Sequence, residues 1–252
     1  MSESNQTDLT RRQFVGKSAA TAAAMTVAPG VLLYGAAEAR NLDQPASSDV
    51  RWGMLINTNK CEKGCNDCVT ACQNEQGWGG ENSNEKLSAP EQKAQWIRKV
   101  ELKDINTGYT QSLPVMCQHC ENPPCVDVCP TTASMKRADG IVLVDRHICI
   151  GCRFCMMACP YKARSFVHET LEDQRPHTPR GKGCVEACNL CVHKLDAGEG
   201  ETACSVSCNK GAITVGDLND DSSEISQQLK QHKTTQIRAD LGLNTGVRYR
   251  GI

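Results

Sequence analysis

The chain has 252 residues, of which seventeen are Cys and only ten are aromatic. With so few large rings, an ordinary apolar core would be thin for this length, so something other than side-chain burial is expected to organise the interior. The formal net charge of -1 provides no strong basic field, which argues against a nucleic-acid role and against direct attraction to an anionic membrane surface.

Residues 1–39 are typical of an export signal and are excluded from the fold prediction. The pair Arg11-Arg12 is followed by an aromatic residue and by an Ala-rich, moderately apolar stretch. Small residues in Ala37–Ala39 fit the cleavage positions and place the mature start near Arg40. The twin arginine resembles a Tat signal. A membrane anchor is the alternative, but the apolar run is too short and mild to span a bilayer comfortably.

The signal and the cysteine content support each other. Exported proteins usually oxidise their cysteines to disulfides, and this chain has many. Export in folded form resolves the conflict, because the reducing cytoplasm can load a thiolate-bound cofactor before the chain leaves. The two features together predict a periplasmic protein that is exported with its cofactor in place.

The cysteines that follow the signal fall into four groups, which form the main internal repeat. In chain order the groups are Cys61, Cys65, Cys68 and Cys72; Cys117, Cys120, Cys125 and Cys129; Cys149, Cys152, Cys155 and Cys159; and Cys188, Cys191, Cys204 and Cys208. Cys184 is left over. We expect it to be a spare thiol rather than a ligand, although a shifted register of the fourth group would include it.

Short β-like runs lie beside these groups. They are "RWGMLINT" before the first group, "GIVLVD" before the third, "ARSFVHE" after the third and "GAITVGDL" after the fourth. The stretch "WIRKVELKDINTGYTQSLPV" predicts a hairpin that turns at Asn106-Thr107-Gly108. The polar segments "GWGGENSNEKLSAPEQKA" and "ETLEDQRPHTPRGKG" predict a surface loop and a linker.

One helix is predicted after the last group. It covers "SSEISQQLKQH", with Ser222 or Ser223 as its N-cap. The remainder to Ile252 has no clear period and is expected to lie along the core or a partner.

The third group carries the most specific signal. It has the spacing C-x2-C-x2-C-x3-C, and Pro160 follows the last cysteine, as in bacterial two-cluster ferredoxins. There the first three cysteines wrap around one [4Fe-4S] cluster and the fourth ligates the other. The second group is the same with two extra residues in its middle gap, so the two groups are expected to pair as one two-cluster unit.

The same logic pairs the first and fourth groups into an outer unit. The four predicted ligand sets are Cys117, Cys120, Cys125 with Cys159; Cys149, Cys152, Cys155 with Cys129; Cys61, Cys65, Cys68 with Cys208; and Cys188, Cys191, Cys204 with Cys72. The outer unit is less regular, because the first gap is one residue longer and Gln73 and Asn209 stand where Pro would follow. An altered cluster in the outer unit is therefore kept as an alternative.

Other cofactors fit less well. Zinc also takes C-x2-C pairs, but a structural zinc site does not explain three consecutive cysteines plus a fourth and a Pro. Covalent haem needs C-x-x-C-H, and Val192 stands between Cys191 and His193. His119 and His193 lie close to the predicted ligands and could hydrogen-bond a cluster, although packing or surface roles are the commoner interpretation. Lys162 and Arg164 could offset cluster charge or simply be solvated.

With these residues in place, the chain resembles the four-cluster ferredoxin-like subunits of respiratory oxidoreductases, such as the dimethyl sulfoxide, polysulfide and formate-dependent nitrite reductase systems. The stretches "LPVMCQHCENPPCVDVCP" and "DGIVLVDRHICIGCRFCMMACPYKARSFVHE" carry the resemblance. Within this class, the twin-arginine signal and "RHICIGCRFCMMACPYKARSFVHE" most resemble the periplasmic DsrO-type subunit of the sulfite-reduction-associated Dsr complex, and "GKGCVEACNLCVHKLDAGE" supports that resemblance.

The resemblance implies an electron relay without a substrate site of its own, docked on an NrfD-like membrane subunit that reacts with quinone. A multihaem cytochrome c is the second partner that it implies, and an equivalent subunit of a nitrite, polysulfide or dimethyl sulfoxide reductase is the alternative. A cluster with an open iron in the irregular outer unit would instead make the chain an enzyme, and a zinc module for assembly is the third hypothesis.

The expected fold class is α+β, with two pseudo-symmetric ferredoxin-like units, one inserted in the other, and with short hairpins, short helices and long loops. The expected domains are a signal over 1–39, an outer unit over 50–80 and 183–217, an inserted unit over 96–169 and a C-terminal extension over 218–252.

Overall fold

The structure is a computed structural model that describes residues 44–79, 85–172 and 174–252. The predicted signal over 1–39 lies outside the described residues. The strands within the described residues are β1 (Trp52–Asn57), β2 (Ile97–Lys103), β3 (Thr110–Met116), β4 (Ser134–Lys136), β5 (Val142–Val144), β6 (Ser165–Phe166), β7 (Val185–Glu186), β8 (Ile213–Asp217) and β9 (Val247–Arg250).

The helices are short, and most of them begin or end beside a cysteine. Those found in the described residues are α1 (Asp67–Gln76), α2 (Pro124–Asp127), α3 (Phe154–Ala158), α4 (Val192–Asp196), α5 (Ala203–Val206) and α6 (Glu224–Gln231). Crossing a bilayer takes about 20 apolar residues, and a helix of that length and apolarity is not found within these ranges.

A three-stranded sheet with the order β8-β1-β9 forms the largest layer. β1 runs antiparallel to β8 and parallel to β9. Met54, Leu55 and Ile56 follow one another in β1 and are all buried, so both faces of this strand are covered. Helix α6 covers one face, where Gly216 of β8 allows a close approach: a Cβ at this position would lie 2.9 Å from Ile225 Cγ2.

The structure confirms the predicted hairpin and the predicted helix. β2 and β3 pair antiparallel, and Gly108 supplies the left-handed residue of the turn with φ of 72°. Ser223 is the N-cap of α6, and its side chain accepts a hydrogen bond from the backbone N–H of Ser226 at 3.3 Å. The four short β-like runs correspond to β1, β5, β6 and β8.

Two predictions about loops need correction. The sequence predicts a surface loop over 77–94, yet Trp78 and Glu85 are buried. The linker 169–183 is not simply solvated either. Its Arg180 is buried and bridges Glu85 and Glu186 at 2.7 and 2.6 Å. Because buried charges must be paired, this bridge fastens the two polar segments to each other and to β7.

The residues after α6 also differ from expectation, because the sequence pattern shows no element there. They form β9, which completes the central sheet, and Tyr249 in β9 is fully buried. The Tyr249 hydroxyl donates to the carbonyl of Pro114 in β3 at 3.1 Å. The C-terminal segment therefore connects the sheet to the β2–β3 hairpin.

The buried residues form two clusters, and cysteines are prominent in both. The larger one combines the central sheet with Trp78 and Trp96 and with cysteines of the first and fourth groups. The smaller one is centred on cysteines of the second and third groups. Helix α1 packs on α5, and α2 packs on α3. The interior is thus lined by thiols where a larger apolar core would otherwise be needed.

Candidate metal centres

Sixteen of the seventeen cysteines lie near one another in four sets of four, which we call sites A to D. Site A contains Cys61, Cys65, Cys68 and Cys208, and site B contains Cys72, Cys188, Cys191 and Cys204. Site C contains Cys117, Cys120, Cys125 and Cys159, and site D contains Cys129, Cys149, Cys152 and Cys155. The four thiols of site C line one cavity, and those of site D line a second one.

In sites A and B, the closeness of the thiols is evident because thiols influence the pKa of others in the same site. Burial raises the pKa of Cys68 to about 11, and its closeness to Cys61, Cys65 and Cys208 adds to the shift. In site B, burial raises the pKa of Cys72 well above its usual value, and proximity to Cys204 and Cys191 contributes. Burial raises the pKa of Cys188 in the same way, with Cys72 and Cys204 as its nearest thiols in the site.

The sites succeed one another in the order A, B, C, D. Each neighbouring pair of sites has thiols near enough to influence each other's pKa. Cys68 of site A acts on Cys204 of site B, and Cys117 of site C acts on Cys188 of site B. Cys125 of site C acts in turn on Cys155 of site D. The four sites therefore form a row through the described part of the molecule.

Left-handed backbone conformations bend the cysteine loops around these sites. His119, Arg153, Leu190 and Cys191 all have positive φ, a conformation that costs energy in residues other than Gly. Gly151, between Cys149 and Cys152, is required for a second reason. A Cβ at this position would lie 2.2 Å from the carbonyl oxygen of Gly183.

Backbone N–H groups point at several of the sulfur atoms. Ser134 N lies 3.3 Å from Cys129 Sγ, and Ala212 N lies 3.3 Å from Cys208 Sγ. Such donors stabilise negative charge on sulfur, which is the state in which thiolates bind metal. The donor set of each site is thus four sulfurs with hydrogen-bond support, as an iron–sulfur cluster requires.

Side chains add further donors to sulfur, and sequence reasoning missed two of them. Trp78, which falls in the predicted surface loop, is buried and donates from Nε1 to Cys72 Sγ at 3.3 Å. Gln76 Nε2 lies 3.5 Å from Cys191 Sγ. Both residues follow Cys72 within six positions. This closeness in sequence is the only signal by which they could have been predicted as donors to sulfur.

The two basic residues after the third group behave differently. Lys162 is exposed, whereas Arg164 is buried and donates from Nη2 to Cys125 Sγ at 3.1 Å and to Ser134 Oγ at 2.8 Å. Burial raises the pKa of Cys117 to about 12, and the guanidinium charge of Arg164 opposes that increase. Arg164 therefore faces the thiols of site C and offsets negative charge there.

His119 supplies a test of whether site C fits a cluster. The ring is buried, and its Nδ1 accepts a hydrogen bond from the backbone N–H of Val142 at 3.1 Å. Burial lowers the pKa of His119 to about 4, so the ring is neutral and carries its proton on Nε2. That buried Nε2 has no hydrogen-bond partner among the described residues. A buried donor left without an acceptor, in a residue between Cys117 and Cys120 in the sequence, fits a cofactor that accepts hydrogen bonds.

Cys184 lies outside the four sets. It is buried, and its thiol donates to the carbonyl of Arg146 at 3.3 Å. Burial raises the pKa of Cys184, with the nearby Cys149 as the next cause. The expectation that Cys184 is a spare thiol remains a prediction.

The two ends of the row present different surfaces. Around site D several large exposed side chains are apolar, among them Ile150, Phe154 and Met157, although Arg153 and His147 are exposed there as well, and Cys152 is itself exposed. Around site A they are charged and include Lys63 as well as Lys210, which pairs with Glu62 at 2.9 Å.

Comparison with known proteins gives a consistent result. The sequence model of the 4Fe-4S dicluster domain family matches residues 109–218. The chain is 36% identical to the Hdr-like menaquinol oxidoreductase iron-sulfur subunit 1 of Archaeoglobus fulgidus, over 96% of this chain and 97% of that protein. It is 35% identical to a tetrathionate reductase subunit of Salmonella typhimurium, over 80% of this chain and 73% of that protein. It is also 35% identical to protein NrfC of Escherichia coli, over 77% of each chain.

Proposed function

Since the chain belongs to the ferredoxin-like family of 4Fe-4S dicluster subunits of respiratory oxidoreductases, we propose that it relays electrons through four clusters held at sites A to D. It is an iron–sulfur electron-transfer subunit of an oxidoreductase complex and not an enzyme with its own substrate site, and its cofactors are [4Fe-4S] clusters. The observation that carries the proposal is the row of four sites, each with four cysteines.

The proposed ligand sets are the sixteen cysteines as grouped in sites A to D, without Cys184. Each site combines three cysteines of one sequence group with the last cysteine of another, as in two-cluster ferredoxins. Sites A and B would form the outer unit, where α1 packs on α5, and sites C and D the inserted unit, where α2 packs on α3. The proposal treats the two units as pseudo-symmetric copies, with the C-terminal extension over 218–252 packed on the core.

A bound [4Fe-4S] cluster accepts or releases one electron without other chemistry. The chain provides the conditions for this transfer. Its loops bring the thiols of successive sites close together, and burial limits the reorganisation of water around them. Arg164 and the neutral His119 place positive charge and an N–H donor beside site C, which favours the reduced state there.

The two ends of the row indicate how the chain is placed in its complex. We assign the apolar surface around site D to an NrfD-like membrane subunit that reacts with quinone, because exposed apolar patches mark permanent interfaces. The charged surface around site A suits a soluble partner that must leave again, such as a multihaem cytochrome c. The name of the Archaeoglobus protein, a menaquinol oxidoreductase subunit, supports a quinol-reactive complex.

The more specific assignment is a Dsr-type complex of sulfur metabolism in the periplasm, reached by the Tat route. The motif "GKGCVEACNLCVHKLDAGE" and the pair Arg11-Arg12 support it. The alternative is the equivalent subunit of a nitrite, polysulfide or dimethyl sulfoxide reductase complex, which the similarity to NrfC and to the tetrathionate reductase protein favours.

Iron and acid-labile sulfide should be measured first, on protein purified anaerobically. Four clusters predict about sixteen of each per chain. About eight irons per chain would contradict the assignment of clusters to one of the two units. Zinc in place of iron would contradict the proposed electron relay.

The complex itself should then be purified from native membranes and its subunits identified by mass spectrometry. An NrfD-like protein together with a multihaem cytochrome supports the Dsr-type assignment. A large reductase subunit in place of the cytochrome supports the alternative. Replacing Arg11 and Arg12 by Lys should leave the loaded protein in the cytoplasm, and continued export of that variant would contradict the Tat route.

A further inference from the structure

Two histidines and one glutamate converge at a place that none of the four thiol sites includes. Glu75 lies on α1, His193 lies on α4, and His177 lies in the loop between β6 and β7. One ligand atom from each of the three side chains lies within 4.8 Å of the others. Three separate segments of the described chain therefore bring nitrogen and oxygen donors to one point.

Both imidazoles face Glu75, and His177 Nε2 lies nearer to the backbone carbonyl oxygen of Glu75, at 3.0 Å, than to its carboxylate. His193 Nε2 lies 2.7 Å and His177 Nε2 lies 3.7 Å from Glu75 Oε1. The ring centroids are 4.0 Å apart with an angle of 31° between the planes. His193 Nε2 is the ring nitrogen that faces the carboxylate, and the other nitrogen, Nδ1, is buried without a partner among the described residues.

These distances suit a small cation. Zinc bonds to His nitrogen and carboxylate oxygen are about 2.0–2.2 Å, so tetrahedral ligand atoms are about 3.3–3.5 Å apart. The two separations of 2.7 and 3.7 Å fall on either side of this range, and side-chain rotations that lengthen the first and shorten the second would bring both into it. Two His with one Glu is also a ligand set that zinc uses elsewhere, with an open position for water.

We propose that Glu75, His177 and His193 bind a divalent first-row metal ion, with Zn²⁺ as the preferred occupant. Imidazole and carboxylate donors without sulfur disfavour a further iron–sulfur cluster at this place and suit zinc, copper or nickel. The ion joins the end of α1, the start of α4 and the loop over 167–184. Glu75 follows Cys72 by three residues and His193 follows Cys191 by two, so the ion also steadies two loops that position thiols of site B.

The test uses the full chain with its clusters loaded, purified anaerobically, treated with EDTA and then titrated with Zn²⁺. We expect one zinc per chain beyond the iron content, bound with micromolar affinity or tighter. His177→Gln and Glu75→Gln should each weaken zinc binding by more than the about 10–100-fold that loss of an outer ligand partner costs. His168→Gln is the matched control, because His168 lies near the same loop but contacts Phe166 instead, with ring centroids 4.9 Å apart.

X-ray absorption at the zinc edge separates the proposal from its alternative. Nitrogen and oxygen neighbours at about 2.0–2.1 Å support the site, whereas sulfur at about 2.3 Å would show that zinc has entered a thiol site and would overturn the proposal. Equal zinc binding by wild type, His177→Gln and Glu75→Gln would overturn it as well. The iron content of each sample is measured in parallel, so a failure of this site is distinguishable from a failure of the proposed relay.

Discussion

Sites A and D lie at opposite ends of the same row, yet their surroundings differ in chemical character. Ile150 and Met157 beside site D are 67% and 66% exposed, and the thiol of Cys152 reaches the surface. Beside site A the exposed residues are charged, and Lys210 and Glu62 form a surface ion pair. An apolar face gains free energy only when a partner covers it, whereas a charged face is stable in water and attracts partners reversibly. This difference is the reason for the proposal of a permanent contact at site D and a transient contact at site A.

Removing one ligand at each end should give opposite defects, and this is the largest effect expected. Cys152→Ala at site D and Cys68→Ala at site A should each lower the iron content from about sixteen to about twelve. In native membranes with quinol, Cys152→Ala should block reduction of the remaining clusters, whereas Cys68→Ala should permit it and block delivery to the soluble acceptor. The same defect in both variants, followed by absorbance and electron paramagnetic resonance, would contradict the assignment of the ends.

A double substitution at the apolar end should prevent assembly without loss of clusters. Burial of an apolar side chain contributes about 1.5–3 kcal/mol, so Phe154→Glu with Met157→Glu should weaken membrane association by about 100-fold or more. Val206→Glu is the control, because Val206 is also exposed but lies on α5 in the outer half of the molecule. Equal loss of membrane association in both variants would show that the surface around site D is not the docking surface.

The interior sites should respond to the loss of a single hydrogen-bond donor. His119→Phe keeps an aromatic ring and removes Nε2–H, together with the Nδ1 that accepts from the backbone N–H of Val142. A hydrogen bond of about 1–1.5 kcal/mol corresponds to a fall in midpoint potential of about 40–60 mV for one electron. Redox titration followed by electron paramagnetic resonance measures the shift. The exposed His147 near site D is the control, and a shift of equal size in His147→Phe would mean that burial does not decide the effect.

The smallest effect is expected from the charged end. Lys210→Ala should leave the free energy of unfolding nearly unchanged, because exposed ion pairs contribute little. It should nevertheless change the salt dependence of electron delivery to the soluble partner, since exposed charges steer encounters at low ionic strength. Stopped-flow rates at several salt concentrations test this. If the rate of electron delivery does not depend on salt in either the wild type or the variant, the charged surface around site A does not steer the soluble partner.

The sequence predicts the elements that depend on neighbours along the chain. The turn at Gly108, the cap at Ser223 and the short strands beside the cysteine groups follow from local residue types, and the structure contains them. The cysteine spacing likewise indicates four groups, because ligand spacing within a loop is a local property.

Long-range contacts could not be predicted in this way. Arg164 reaches Cys125 and Arg180 reaches Glu85 across many residues, and a single sequence gives no signal for such pairs. The parallel pairing of β9 with β1 is of the same kind. The convergence of Glu75, His177 and His193 depends on three segments that meet only in the folded chain.

The pairing of β9 with β1 has a consequence for the timing of synthesis. β1 is translated before the first cysteine, and β9 is translated after the last one. The central sheet therefore cannot close on a ribosome-bound chain until every thiol has been made. Closure then places Tyr249 against the β2–β3 hairpin. The complete sheet can therefore form only in a chain that already contains the cysteines of all four sites. If only folded chains are exported, a truncated chain that lacks β9 would not be exported, because its central sheet would be incomplete.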